Sequence, residues 1–201
     1  MRILILTSND YTGRYWQDMS IGFSKRNDVV LLFASFGMKY PPYWHKSYSH
    51  NHTVFGSKRK SNLLQWIRFI LQIKKFKPDV IQSHLFYGGL FGIFLSKLLC
   101  VPVVYTRHHL DEHFQSGTKI HRFLDRFTLK FSQKVITCSQ ATKDWIVRNE
   151  GVCSEKVKVV YQGFEFGRIS ADEFKVIQIR KELFGSSEKF KILCVSRLTL
   201  S

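Results

Sequence analysis

Short apolar runs alternate along this chain with stretches whose apolar residues recur at helical spacing. The runs fall at Arg2–Thr7, 29–34, 79–83, 101–106, 134–138, 157–161 and 191–195. They are rich in Val and Ile and apolar at nearly every position, the pattern of strands covered on both faces. Helix-period stretches lie between them, near 14–26, 61–76, 87–99, 119–132, 140–149 and 172–183. Repeated strand–helix–strand order predicts right-handed crossovers and an α/β fold with a doubly wound, Rossmann-like parallel sheet. In the 61–76 helix, Leu63, Trp66, Ile67, Ile70 and Ile73 are expected to share the face turned to the sheet. Gln65, Arg68, Gln72 and Lys75 form the opposite stripe.

The order of elements divides the chain at about residue 170. Residues 1–170 read as one complete domain. Residues 171–201 read as a linker helix and the first strand of a second domain, ending on a loop with Arg197. The rest of that second domain is expected to be missing from the chain. One connection is unusually long: residues 37–60 hold two prolines, five aromatics and three histidines. A loop of that length suits a functional or mobile element.

Composition narrows the class. Hydrophobic residues make up 44% of the 201 positions, which fits a folded globule and excludes a disordered chain. Cys100, Cys138, Cys153 and Cys194 form no C-x-x-C pair and each lies in or beside an apolar segment, so buried reduced thiols in a cytoplasmic protein are expected. The opening M-R-I-L-I-L-T-S-N-D is too short an apolar run for a signal peptide. The richest apolar stretch, 85–99, is interrupted by glycines and Lys97 and suits a buried helix.

Charge changes the picture further. Lys and Arg total 31 against 15 Asp and Glu, a net +16 that attracts polyanions: nucleic acid, anionic lipid or a phosphorylated substrate. No helix-turn-helix, zinc-finger or RNA-stacking signature is present, so nucleic acid is not an expected partner. Residues 58–77 carry seven cations and no carboxylate around an amphipathic helix, and a second basic-aromatic stretch runs from Lys119 to Phe131. Both fit attachment to an anionic membrane surface, hence a peripheral position on the inner face of a cell membrane.

In open parallel sheets ligands bind beyond the carboxyl ends of the strands. The residues there are 8–14 with Gly13, then His84, then Arg107, His108 and His109, then Ser139 and Gln140, then Gln162 and Gly163. This cationic, imidazole-rich rim suits a phosphate-bearing or sugar ligand. Gly13, His84, Arg107, His109 and Ser139 are candidate substrate-binding residues, although Arg107 could instead pair with a carboxylate such as Asp111 or Glu112. A zinc site is not expected. H-H-x-x-x-H at 108–113 lacks a helical pair at its first histidine, and His45, His50 and His52 have no acidic or cysteine partner nearby. No opposed carboxylate pair suggests a glycosidase.

Five segments occur in order: K-P-D-V-I-Q-S-H, V-P-V-V-Y-T-R-H-H, K-V-I-T-C-S-Q-A-T-K-D, V-K-V-V-Y-Q-G-F-E and K-I-L-C-V-S-R-L. Together they resemble the amino-terminal half of a retaining glycosyltransferase of family 4, one half of a two-domain GT-B architecture. The resemblance implies an acceptor-binding amino-terminal domain and a nucleotide-sugar-binding carboxyl-terminal domain, with sugar transfer in the cleft between them. The acceptor would be a saccharide or a lipid-linked saccharide, as in bacterial polysaccharide or lipopolysaccharide assembly. It implies His108 as the catalytic histidine facing the transferred sugar, His84 as a cleft residue, and Gly13 as a close approach to the donor diphosphate. Arg197, in S-R-L, takes the place of the arginine that contacts the diphosphate. Ser196 stands where the family usually has glycine, and the first loop has one glycine where two are common. No D-x-D is present, so neither metal nor cofactor is expected, and cationic groups and helix amino-termini would hold the leaving phosphates. With little of the donor half present, the chain alone is expected to bind nucleotide sugar weakly and turn over little. The rival expectations are an inactive remnant that only binds partners and a basic nucleic-acid-binding module.

Overall fold

The computed structural model describes residues 1–8, 13–36, 51–54, 63–110, 118–163 and 172–185. The chain divides into two compact units, Met1–Phe164 and Glu165–Ser201.

In the first unit the strands are β1 (Arg2–Thr7), β2 (Val30–Ser35), β3 (Asn51–Val54), β4 (Val80–His84), β5 (Val103–Arg107), β6 (Lys134–Thr137) and β7 (Val157–Val159). The helices are α1 (Arg14–Ser24), α2 (Leu63–Phe76), α3 (Phe86–Leu99), α4 (Lys119–Phe131) and α5 (Gln140–Glu150). All seven strands form one parallel sheet in the order β3-β2-β1-β4-β5-β6-β7. The expected α/β doubly wound sheet is therefore present. Residues 37–60 are not one uninterrupted loop, because 51–54 pair with β2 at the sheet edge.

Strand alternation sorts the core into faces. Ile3, Ile5, Leu31 and Phe33 point to one face and pack with Trp16 of α1. Leu4, Leu6, Leu32, Ala34, Ile81 and Val103 point to the other and pack with Phe69 and Ile73 of α2 and Ile93 and Leu95 of α3. On that second face Tyr105, Val135 and Val157 meet Leu129 of α4 and Ile146 of α5. Four helices thus cover one face, and among the described residues of this unit α1 alone packs on the other.

The helix α3 lies close against its neighbours because glycines stand at the contacts. A Cβ on Gly92 would sit 2.7 Å from Ser83 Cβ, and one on Gly89 would sit 2.7 Å from the Tyr105 ring. On α2 the buried residues are Phe69 and Ile73, whereas Leu63 and Ile67 are exposed. The apolar face is thus rotated from the expected one, centred on the Phe69–Ile73 pair that reaches the sheet. Of the thiols, Cys100 and Cys153 are exposed and Cys138 is half-buried. Burial was expected for them, but Cys100 terminates α3 in the left-handed region and Cys153 precedes a surface turn. No helix among the described residues is long and apolar enough to cross a membrane.

In the second unit, α6 (Glu173–Phe184) is capped by Asp172, whose carboxylate accepts from the Phe174 and Lys175 amides at 3.0 and 3.4 Å. It ends at Gly185, where φ is +58°. The strand expected at 191–195 and the loop carrying Arg197 lie outside the described residues.

Candidate active site at the head of the sheet

The strand order reverses direction between β1 and β4, so the chain leaves their carboxyl ends toward opposite faces. That switch point is where a parallel sheet offers a crevice. Thr7 and His84 are register partners there, and His84 is in turn the partner of Thr106 on β5. Val80, Gln82 and His84 alternate onto the α1 face, as do Val104 and Thr106.

His84 is fully buried on that face, under the amino-terminal turn of α1. Its ring meets Trp16 edge-on with centroids 4.7 Å apart and Tyr15 at 6.2 Å. Its Nδ1 lies 3.0 Å from Nε2 of His108, with the two rings nearly parallel. The other ring nitrogen of His84 is buried with no hydrogen-bond partner. His108 is half-buried and packs edge-on against Tyr15 at 5.3 Å. Its Nδ1 lies 3.4 Å from the Gln162 side-chain amide, and its carbonyl accepts from the Cys138 thiol.

A groove of about 370 Å³ opens in front of this pair. It runs between α1 (Tyr15, Met19, Phe23) and the open sheet face (Gln82, Thr106, Ile136), with His108 and Gln162 among its polar walls. Gln82 donates to the Thr106 hydroxyl at 3.1 Å and so carries a polar bridge across the groove floor. Asp18 also lines it and pairs with Arg14 at 3.6 Å.

Electrostatics keep the two imidazoles neutral. Burial, assisted by the neighbouring His109, pushes the His108 pKa down to about 4. Burial, with His108 beside it, pushes His84 well below the ordinary histidine value. Burial, together with Cys138, raises the Tyr15 phenol to about 12, so it remains a hydrogen-bearing hydroxyl. Two neutral rings in contact share one hydrogen between Nδ1 and Nε2. The tautomer of His108 is therefore coupled to that of His84, and His108 presents its other nitrogen toward Gln162 and the groove. Such a group can exchange a hydrogen bond with a hydroxyl without carrying charge.

The remaining rim residues have separate positions. His84 does not itself line the groove; it acts from behind His108. Arg107 does not line it either, because alternation turns its side chain to the α4–α5 face. There it is 1% exposed, pairs with Asp125 at 2.5 Å and Glu150 at 3.0 Å, and donates to the carbonyls of His109 and Leu110 at 3.1 and 3.4 Å. Burial opposes its charge, yet Asp125 and Glu150 hold the guanidinium above its ordinary pKa. Arg107 is thus a buried clamp on the turn that carries His108, and not a ready ligand contact. Asp111 and Glu112, the partners considered from sequence, lie outside the described residues.

Ser139 caps α5, its hydroxyl accepting from the Thr142 amide at 3.2 Å. His109 is exposed and outside the groove lining. Gly13 caps α1 in extended conformation, and a Cβ there would meet only Trp16, at 3.8 Å. Among the described residues, a side chain at Gly13 would therefore meet ordinary van der Waals contact only. Sequence reasoning did not find Tyr15, Gln82 or Thr106, whose signal is positional: each faces the His84 side of the sheet. Nor did it find the strained turn at Leu85, which leads from His84 into α3 at φ +63°. Among the described residues no group of three or more His, Cys, Asp or Glu side chains is arranged so that it could hold a metal ion.

The chain matches the family model for Glycosyltransferase Family 4 over residues 12–168. It belongs to that family, and its sheet is one half of a GT-B architecture. Among solved structures it is similar to Anabaena Alr3699/HepE in complex with UDP, at 18% identity and a TM-score of 0.66, covering 91% of this chain and 50% of that one. It is also similar to a glycosyltransferase from Rickettsia africae, at 14% identity and TM-score 0.60 with 93% and 50% covered. The apo lipopolysaccharide outer core galactosyltransferase WaaB matches at 15% identity and TM-score 0.57, with 80% and 45% covered. This chain spans about half the length of these structures. No curated protein sequence matches it.

Proposed function

We propose that this chain is the acceptor-binding half of a retaining glycosyltransferase that moves a sugar from a nucleotide-sugar donor to a saccharide or lipid-linked acceptor. The domain boundary near residue 170 would then separate acceptor-binding from donor-binding parts. The observation that carries the reading is the His84–His108 contact at the mouth of the groove, at the switch point of a family 4 sheet. A neutral His108 is suited to contact a hydroxyl of the transferred sugar. Gly13, extended at the head of α1, suits approach of a donor diphosphate, and Arg197 in S-R-L is the cation that the family motif offers to a leaving phosphate.

The similarity to HepE, solved with UDP, and to the galactosyltransferase WaaB supports a nucleotide-sugar donor and an acceptor of polysaccharide or lipopolysaccharide type. A net charge of +16 supports a cytoplasmic protein held peripherally on an anionic inner membrane face. The test is turnover of the full-length protein against a panel of UDP- and GDP-sugars, with the 201-residue chain assayed beside it. The reading expects transfer from one donor by the full-length protein and little or none by the chain alone. Robust transfer by the isolated chain would contradict the division of labour. Absence of transfer or hydrolysis from every donor would favour a chain that only binds partners.

A further inference from the structure

The helix layer on the α2–α5 face has an outer surface that does not look like that of a free soluble domain. On α4, Ile120, Phe123, Phe127 and Phe131 are all exposed, Phe123 by 67%. At about 100° per residue these four fall within one arc of about 80°. Phe127 and Phe131 touch, with ring centroids 4.4 Å apart. The adjacent α3 shows Tyr87, Phe94 and Leu98 on a single exposed face. The two helices meet where Lys97 of α3 places its ammonium 6.0 Å from the Phe131 ring. Two exposed apolar helix faces thus adjoin across Lys97 and Phe131, a grouping that differs from singly scattered exposed residues.

Charge identifies the occupant. Beside the α4 arc run Lys119, Arg126 and Lys130, all exposed. The sequences of α2, α3 and α4 contain a single acidic residue, Asp125, and it is buried against Arg107. A second copy of this chain would bring cations against cations across the same face. A bilayer with anionic headgroups takes both features at once, rings into the acyl boundary and ammonium groups at the phosphates.

We infer that the α3–α4 ridge, with Phe123, Phe127 and Phe131 as its inserting side chains, is the face by which this protein docks on an anionic lipid bilayer. The inference rests on the membrane part of the proposed function and moves the docking face away from the basic helix at 58–77. It also orients the molecule: the phenylalanine ridge lies on the opposite sheet face from the groove, so His108 is not covered by the membrane that the ridge engages.

The experiment is co-sedimentation of the 201-residue chain with vesicles of equal parts phosphatidylglycerol and phosphatidylcholine, and with phosphatidylcholine alone. Binding is expected on the anionic vesicles and at least about tenfold weaker on the neutral ones. Phe123→Ser/Phe127→Ser, at exposed sites, is expected to lower the anionic partition coefficient on the order of tenfold per ring with an unchanged circular dichroism spectrum. Leu64→Ser/Leu71→Ser on α2 should stay within about twofold. Wild-type binding that survives the α4 substitutions, or falls only with those on α2, overturns the inference and leaves the membrane reading standing. Equal binding to both vesicle types overturns it as well, and so does sedimentation velocity showing a dimer that Phe127→Ser disperses. No binding to either vesicle overturns the inference together with the membrane reading.

Discussion

Thr106 and Arg107 are neighbours in sequence yet serve opposite sides of the sheet. The Thr106 hydroxyl accepts from Gln82 on the groove floor, while the Arg107 guanidinium sits between Asp125 of α4 and Glu150 of α5. One strand end therefore supplies both the lining of the site and the clamp behind it. The clamp also bonds the carbonyls of His109 and Leu110, so the turn starting at His108 is held from the core side.

Breaking that clamp should be costly. Arg107→Met removes the guanidinium that two buried carboxylates share, and a loss of about 3–5 kcal/mol is expected in denaturant unfolding. Asp125→Asn keeps the Glu150 pair and should cost less. A loss under about 1 kcal/mol for Arg107→Met would show that the ion pairs contribute little.

Glycine substitutions should divide by location. Gly92→Ala drives a Cβ into Ser83, so a loss of about 1–3 kcal/mol is expected. Gly22→Ala, in the interior of α1 with open space around the new methyl, should gain about 0.5–1 kcal/mol. Thermal unfolding of the two variants checks both signs.

The depressed pKa of His108 fixes a pH dependence. In the unfolded chain this imidazole takes a proton near pH 6.5, whereas in the folded chain it does so near 4. The unfolded state binds more protons between those values. The contribution is complete above pH 6.5 and is lost as pH falls toward about 4. Ring resonances of His108 in an NMR titration should give a midpoint near 4, and a midpoint near 6.5 would mean an open, solvated ring.

His84 should matter through His108. In His84→Phe the fold is expected to persist, since the buried ring is replaced by an apolar ring and one orphaned nitrogen is removed. The ¹⁵N shifts of His108 should nevertheless move, because its Nε2 loses its partner. Unchanged shifts would separate the two rings.

Much of this was legible in the sequence, because a buried parallel sheet writes itself as near-continuous apolar runs. Six of its strands were placed that way, to within a few residues at each end. The strand at 51–54 was not, since N-H-T-V at a sheet edge has no apolar run to announce it. The candidate histidines were found as strand-end residues, but their contact was not. It follows from register, which sets His84 beside Thr106 and brings the residue two further on within reach. For Arg107 the sequence left both a ligand contact and a carboxylate pair open: position near a strand end was visible, while the partners across the sheet face, Asp125 and Glu150, follow from packing. Observed β5 runs through Arg107 itself. The tilt of α2 was also hidden, as its apolar residues exceed what one face can hold and packing alone selects Phe69 and Ile73.

The central claim is that His108 works at the transferred sugar. The most direct measurement compares kcat/KM of the full-length protein with that of its His108→Ala variant, using whichever nucleotide sugar it turns over. The account predicts a fall of at least about 10²-fold with unfolding behaviour preserved. Activity within a few-fold of wild type, in a variant that is properly folded, would contradict it.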